Sequence, residues 1–234
     1  MLGSWVGSRP SPGGQEVQEP LRAAVNLPLD SALMEHGAGS TMFAMSAILD
    51  HPHKHPISAE EYLRMSAAGV FAPEARLELI EGEIIEMAPI HPPHAGRVMK
   101  LNELFVQRAG GRAIVLVQSP LIISGRSVPQ PDLALLRPRA DYYSKSHPTV
   151  SDVFLVVEVA DTTLAFDIGT KVPLYARCGI PEVWVVDVNE GAIHVFRDPD
   201  ERGYRSAFAA RVAERIVCAA LPEIAVAVAE LFPV

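Results

Sequence analysis

The chain has 234 residues, 49% of them hydrophobic, and a formal net charge of −8 at pH 7. This length predicts one domain with a sizeable core and room for a tail. The acidity argues against broad, non-specific nucleic-acid binding, which usually shows as a basic domain, but it leaves room for a local basic groove. The two cysteines, Cys178 and Cys218, form no CxxC pair. Neither a disulfide framework nor a thiolate zinc site is therefore indicated.

Targeting signals and membrane spans are not apparent in the sequence. The N-terminus has no basic region followed by an apolar one, so no signal peptide is expected. The late apolar stretch at residues 216–229 is interrupted by Pro222 and Glu223 and is too short to span a bilayer. Isolated cysteines suit a reducing compartment. We therefore expect a cytoplasmic protein with no membrane partner.

Two regions are predicted. Residues 1–56 contain the run RPSPGG at positions 9–14 and little patterning, which predicts a poorly ordered N-terminal extension. Its histidine-rich end, HPHKHP at residues 51–56, has two prolines that break helical spacing, so a solvated linker is favoured over a metal site. Residues 57–234 carry the regular patterns and are expected to form the folded domain.

The domain is predicted to open with a short helix and a hairpin. Ser58 and Glu61 have the spacing of a capping box. Two alternating runs at residues 76–80 and 83–87 then flank Glu81-Gly82, which predicts a β-hairpin. The alternation places Glu78 on the polar face of its strand. Glu78 is therefore either a solvated strand residue or an accessory residue of a site.

A helix at residues 95–108 is predicted next, with an apolar stripe at helical spacing. His94 precedes it and is either its N-terminal cap or a contact for a phosphate or a bound water. Strands are expected at residues 113–117 and 121–123. The later segment 137–148 mixes basic residues with two tyrosines, which suits either a nucleic-acid strand or an ordinary exposed loop.

Two carboxylates occupy positions that stability alone does not favour. Asp132 begins the apolar run LALL, and Glu158 stands inside the run VFLVVEV at residues 153–159. Such runs predict buried strands, and a glutamate is rarely buried without a partner or a metal. Asp132 on a neighbouring strand, a divalent cation and Lys171 would supply that partner. We expect Lys171 at the start of a helix over residues 170–178, with Thr170 as its cap.

Strands and helices alternate through this region, which predicts an α/β domain around a mixed sheet. Asp132 and Glu158 offer hard oxygen ligands suited to Mg²⁺ or Mn²⁺, and the carbonyl of Val159 could add a third. Lys171 could orient an attacking water and stabilise charge on a phosphate. Taken one at a time, each of these residues also has an ordinary structural explanation. Asp132 could simply begin a strand, Glu158 could pair with a lysine, and Lys171 could be solvated. Composition and spacing alone therefore do not name a reaction.

Several motifs together resemble the Uma-two family of restriction endonucleases, in the PD-(D/E)xK nuclease superfamily. They are Pro131-Asp132, the Glu158 strand, Asp167 with Lys171, Tyr175-Ala176, and GIPEVWVVD at residues 179–187. The hairpin sequence ELIEGE at residues 78–83, the downstream His94 and the ending from residue 221 also match. The resemblance extends from about residue 57 to the C-terminus.

The resemblance implies a restriction-endonuclease-like core and a Mg²⁺- or Mn²⁺-dependent endonuclease that hydrolyses DNA. It implies Asp132 and Glu158 as metal ligands and Lys171 as the catalytic lysine, with Glu78 and His94 as accessory residues. The superfamily pattern has its lysine two residues after the second acid, where this chain has Ala160, so Lys171 would serve from the next helix. The resemblance also implies that the protein acts as a homodimer.

Two other functions stay open at this stage. One is a catalytically silent module that binds nucleic acid or protein on the same fold, which the net acidity favours. The other is a metal-dependent hydrolase of small phosphoesters. Retention of Asp132, Glu158 and Lys171 together favours the nuclease, because a binding module does not need a carboxylate inside a buried strand.

Overall fold

The computed structural model describes residues 54–232, and within them six strands form one mixed sheet in the order β3-β4-β5-β6-β7-β8. The strands are β3 (Ile114–Val117), β4 (Leu133–Leu136), β5 (Val153–Ala160), β6 (Glu182–Asp187), β7 (Ala192–Asp200) and β8 (Gly203–Ala210). Strands β5 and β6 are parallel, and the other neighbours are antiparallel. Helices flank this sheet, so the predicted α/β class with a mixed sheet is confirmed.

Two smaller hairpins stand apart from the main sheet. The first joins β1 (Leu77–Ile80) to β2 (Glu83–Glu86), and the second joins β9 (Arg215–Cys218) to β10 (Leu221–Ala227). In the first, Glu81 and Gly82 both have positive φ, at 51° and 87°. Two positive-φ residues match the right-handed twist of the strands, which explains the glycine in this two-residue turn. The predicted hairpin is present.

Helix α1 (Ala59–Ala67) begins with the predicted capping box. The amide of Glu61 donates to Ser58 Oγ at 3.2 Å, and the amide of Ser58 donates to Glu61 Oε2 at 2.9 Å. Helix α2 (Pro92–Ala109) follows the first hairpin and buries its apolar stripe, Val98, Leu101, Leu104 and Phe105. This stripe covers one face of the main sheet, where Phe105 meets Trp184 edge to face with ring centroids 6.0 Å apart.

Side-chain alternation along β5 divides its residues between two cores. Leu155, Val157 and Val159 pack on the α2 side. Val156 and Ala160 pack on the opposite side against α4 (Val172–Arg177). Because strand residues two apart share a face, Glu158 belongs to the α4 side. The sheet therefore buries Glu158 under a helix, not at an open edge.

The helical segment that carries Lys171 starts earlier than predicted. It opens with α3 (Leu164–Phe166), widens into a π-helical turn over Asp167–Lys171 and continues as α4. Thr170 thus lies inside the turn, and the prediction of Thr170 as the cap is wrong. The amide of Val172 donates to the carbonyl of Asp167, five residues back. Pro173 has no amide to continue a regular ladder, which explains the wide turn next to it.

Two further predictions on local structure are wrong. Helix α2 begins at Pro92 with His91 as its N-cap residue, so His94 is not the cap. Prolines fit the first helical turn, because the amide they lack would have no partner there. Residues 121–123 form no strand of the main sheet; Ile122 makes an isolated bridge to Thr149.

Residues 1–53 lie outside the described residues. They include all but the last three residues of the predicted extension and the first three residues of the histidine-rich run. That prediction therefore remains untested. In the part of the chain that the structure covers, no helix is both long and apolar enough to cross a membrane. Helix α5 (Val228–Leu231) closes the described domain after β10.

Candidate active site

One cleft brings together the residues singled out in the sequence. Hairpin β1–β2, the start of α2, the start of β4, the end of β5 and the π turn all contribute to its wall. The predicted residues that line it are Glu78, His94, Asp132, Glu158, Val159 and Lys171. Their separation along the chain is large, so the tertiary fold is what collects them.

Lys171 forms the centre of a buried ion cluster. Its Nζ donates to Glu78 Oε1 at 3.0 Å and to Glu158 Oε1 at 3.2 Å. Lys171 is 1% exposed, Glu78 3% and Glu158 2%. Glu78 is therefore not a solvated strand residue, because its side chain is buried in the wall of the cleft. An unpaired charge at this depth would be very costly, so the three residues depend on one another.

Asp132 is held by three hydrogen bonds. Its Oδ2 lies 3.0 Å from His94 Nε2 and accepts the backbone amide of Val159 at 2.9 Å. Its Oδ1 accepts from Gln118 Nε2 at 3.1 Å. Burial opposes the charge, but these donors prevail and lower the pKa of Asp132. Asp132 is thus an ionised carboxylate in a fixed orientation.

The register of the sheet places Asp132 and Glu158 side by side. Leu133 pairs with Val157 in the antiparallel ladder between β4 and β5. One step further along this ladder, Asp132 lies opposite Glu158, and directly opposite residues project to the same face. Both acids consequently reach the same wall of the cleft.

Asp167 is a further buried acid that sequence analysis assigned no role. It lines the cleft, is 2% exposed, and its Oδ2 accepts the hydroxyl of Thr163 at 2.6 Å. The available signal was its position four residues before Lys171, which puts two side chains on one helical face. Gln118 and Tyr175, which contact Asp132 and Glu158, were likewise assigned no role from sequence, because the residues that they contact are distant along the chain.

The cluster contains four acidic side chains, Glu78, Asp132, Glu158 and Asp167, around the single lysine Lys171. Burial raises the pKa of Glu158 to about 8, with further increases from Asp167, Asp132 and Glu78, against the lowering effect of Lys171. Burial likewise raises the pKa values of Glu78 and Asp167. Burial disfavours the Lys171 ammonium, yet the surrounding carboxylates prevail and raise its pKa. The site is therefore built to attract additional positive charge.

The donor set fits a hard divalent cation that retains several waters. Both hydrogen bonds to the Glu158 carboxylate end on Oε1, and Glu78 Oε2 is buried without a hydrogen-bond partner. Carboxylate oxygens suit Mg²⁺, which is often held by one or two carboxylates plus water. No group of three His, Cys, Asp or Glu side chains within residues 54–232 is arranged to enclose a metal. Water and backbone would thus have to complete any coordination shell.

The basic and aromatic segment at residues 137–148 does not line this cleft. It follows the C-terminal end of β4, whereas Asp132 precedes the strand's first residue. Arg139 instead packs over the ring of Tyr143 at 3.8 Å and pairs with Asp141. Among the described arginines, Arg76 is the one that lines the cleft. Its guanidinium donates to the carbonyl of Ala88.

Comparisons with known proteins agree with this fold. The chain is similar to a crystal structure, at 1.96 Å resolution, of "a putative nuclease belonging to DUF820" from Anabaena variabilis ATCC 29413. The TM-score is 0.59 at 16% identity, over 76% of this chain and 98% of that one. At this identity the likeness shows a shared fold. No curated protein matches the chain significantly.

A family model matches residues 59–229, well over half of the chain, and the family is described as "Uma2: Putative restriction endonuclease". The match covers the hairpin, the cleft and the β9–β10 hairpin. The chain therefore belongs to the Uma2 family, which confirms the family expected from its motifs.

Proposed function

We propose that this protein is a metal-dependent endonuclease that hydrolyses DNA phosphodiester bonds. Membership of the Uma2 family and the nuclease-like fold support this function. The observation that carries it is the Lys171 ammonium, held between Glu78 and Glu158 in the cleft that also contains Asp132. Asp132 directly precedes β4, Glu158 lies in the adjacent strand β5, and Lys171 contacts Glu158 from a helix, whereas the superfamily pattern has its lysine two residues after the second acid.

Asp132 and Glu158 would hold Mg²⁺ or Mn²⁺, with the Val159 carbonyl as an additional ligand. A bound divalent cation would polarise the phosphate and lower the pKa of a coordinated water. Asp132 suits this role because it is ionised and fixed by three donors. Glu158 suits it because burial, and then Asp167, Asp132 and Glu78, raise its pKa in the protein alone, and a bound cation would offset these effects.

Lys171 would orient the attacking water and stabilise the negative charge that develops on the phosphate. Preorganised donors in a site with little water are worth far more than the same groups in solution. Lys171 remains charged because carboxylates surround it. Glu78 is a positioning residue in this proposal, since its contact at 3.0 Å holds the ammonium toward Glu158.

Two other residues would contact the nucleic acid or support the acids. Arg76 lies at the cleft and would bind a phosphate next to the scissile one, because its guanidinium carries five donors and one contact to Ala88 leaves others for a ligand. His94 would hold Asp132 through the contact at 3.0 Å. The nucleic acid would approach across the hairpin and the start of α2.

A catalytically silent binding module on the same fold is the second candidate. The net charge of −8 favours it, as does the lack of a three-ligand group in the described domain. Under that function the ion cluster would be purely structural. Cytoplasmic location and dimerisation remain predictions under both candidates.

Cleavage assays separate the two candidates. Purified protein would be incubated with plasmid, single-stranded DNA and RNA, in the presence of Mg²⁺ or Mn²⁺ or of a chelator. We expect metal-dependent DNA cleavage that Glu158→Gln and Lys171→Met abolish. Glu182→Gln is the matched control, because Glu182 is an equally buried glutamate bound by Trp184 and Arg197 outside the cleft. Equal nicking by wild type and Glu158→Gln would refute the proposed chemistry.

A further inference from the structure

Tyr175 places a hydroxyl group in the interior directly against Glu158. Its ring is fully buried in α4, and its hydroxyl donates to Glu158 Oε1 at 2.6 Å. It stands four residues after Lys171, so both residues project from one face of the helical segment. Lys171 donates to the same oxygen, Oε1, at 3.2 Å. Two donors from one helical segment therefore converge on one oxygen of the carboxylate.

The ring and the hydroxyl of Tyr175 serve different purposes. The ring belongs to the apolar core on the α4 face of the sheet, and a phenylalanine would fill the same space. The hydroxyl adds a polar group that burial penalises unless it is bonded, and it is bonded to the carboxylate. The hydrogen bond from the Tyr175 hydroxyl restricts rotation of the Glu158 carboxylate and so fixes its orientation.

The second oxygen of Glu158 is left for a ligand. A carboxylate oxygen accepts about two hydrogen bonds, so Oε1 is saturated by Tyr175 and Lys171. Both bonds to this carboxylate end on Oε1, and Glu158 lines the cleft. With Oε1 fixed against the helix, Oε2 is the oxygen that can face an incoming cation.

We infer that Tyr175 is a positioning residue that holds Glu158 so that it binds a divalent cation through Oε2 alone, which selects Mg²⁺ over Ca²⁺. The inference rests on the proposed function. Mg²⁺ demands near-ideal octahedral geometry, whereas Ca²⁺ takes six to eight oxygen ligands and often a bidentate carboxylate. A carboxylate with one oxygen already saturated suits the smaller ion.

Cation binding to Tyr175→Phe tests the selectivity. Calorimetry would measure Mg²⁺ and Ca²⁺ binding to the wild type, to Tyr175→Phe and to Tyr204→Phe. Tyr204 is the matched control, since its hydroxyl makes an equivalent bond at 2.7 Å to the Ile180 carbonyl outside the cleft. We expect Tyr175→Phe to lose about tenfold in Mg²⁺ affinity and much less in Ca²⁺ affinity, as for other residues that support ligands. An equal loss for both ions, or no loss, would overturn the inference.

A double-mutant cycle without metal tests the contact itself. Unfolding by urea in a chelator would be compared for the wild type, Tyr175→Phe, Glu158→Gln and the double variant. We expect the two changes to be coupled by about tenfold in the unfolding equilibrium, while Tyr204→Phe and Glu158→Gln are additive. Additivity of Tyr175→Phe with Glu158→Gln would overturn the inference. If the wild type binds no divalent cation, the proposed function fails, and the cycle alone decides whether Tyr175 orients Glu158.

Discussion

The raised pKa of Glu158 predicts how the stability of the metal-free protein depends on pH. The pKa of this glutamate rises from its ordinary value of 4.5 to about 8 in the folded state, first because of burial. The folded protein therefore holds this proton more tightly than the unfolded chain does. The resulting stabilisation is complete below about pH 4.5 and is lost as pH rises toward about 8.

The magnitude follows from the same two values. Each pKa unit corresponds to 1.36 kcal/mol, so the difference between 4.5 and about 8 sets a ceiling of about 5 kcal/mol for Glu158. The pKa values of Glu78 and Asp167 are also raised by burial, which adds to the same trend. The pKa of Asp132 is lowered, so its contribution to stability changes with pH in the opposite direction. That contribution acts at more acidic pH.

Urea denaturation in a chelator, at several pH values from about 5 to about 8, measures this dependence. We expect the free energy of unfolding to fall by several kcal/mol across this range in the wild type, and by clearly less in Glu158→Gln, which cannot titrate. Glu182→Gln is the matched control for the loss of a buried carboxyl outside the cleft, so the slope of Glu158→Gln is compared with it as well as with the wild type. A wild-type protein whose stability is flat or rises over this range would refute the reasoning, as would an unchanged slope in Glu158→Gln.

Three further predictions concern the same cleft. Lys171→Met should reduce the free energy of unfolding by about 3–5 kcal/mol above about pH 8, measured by urea denaturation, because it removes the cation that pairs with the ionised Glu78 and Glu158. The loss should shrink at lower pH, where Glu158 is protonated. Mg²⁺ at about one hundred times its dissociation constant should stabilise the wild type by about 2.7 kcal/mol in thermal unfolding, and Asp132→Asn should abolish that gain. Arg76→Gln should weaken DNA binding, measured by fluorescence anisotropy without cleavage, and lower the salt dependence by about one charge.

Each of these predictions has an outcome that contradicts it. A Lys171→Met variant as stable as the wild type above about pH 8 would show that the ion cluster is unimportant for folding. Equal stabilisation of wild type and Asp132→Asn by Mg²⁺ would place the cation elsewhere. Unchanged DNA binding by Arg76→Gln, alongside weaker binding by Arg139→Gln, would move the contact surface to the segment at residues 137–148.

Local sequence patterns predicted most of the individual elements. The Ser58–Glu61 capping box, the Glu81-Gly82 hairpin turn and the buried α2 stripe all depend on contacts within a few residues, and all three are present. The helix starts were less accurate. The π turn around Lys171 lies next to Pro173, which has no amide for a regular ladder, whereas a prediction from local spacing placed a cap at Thr170.

The sequence by itself determined that this protein has an α/β domain with two acids on buried strands and a lysine on a following helix. The tertiary structure alone decided which groups meet. Glu78 and Lys171 are 93 residues apart in sequence, and their side chains are 3.0 Å apart in space. Asp167 lines the cleft, and Gln118 and Tyr175 contact Asp132 and Glu158, although none of the three was assigned a role from sequence. The physical reason is that burial of a charge demands a partner without specifying where in the chain that partner lies, and only the packed sheet and helices supply the position.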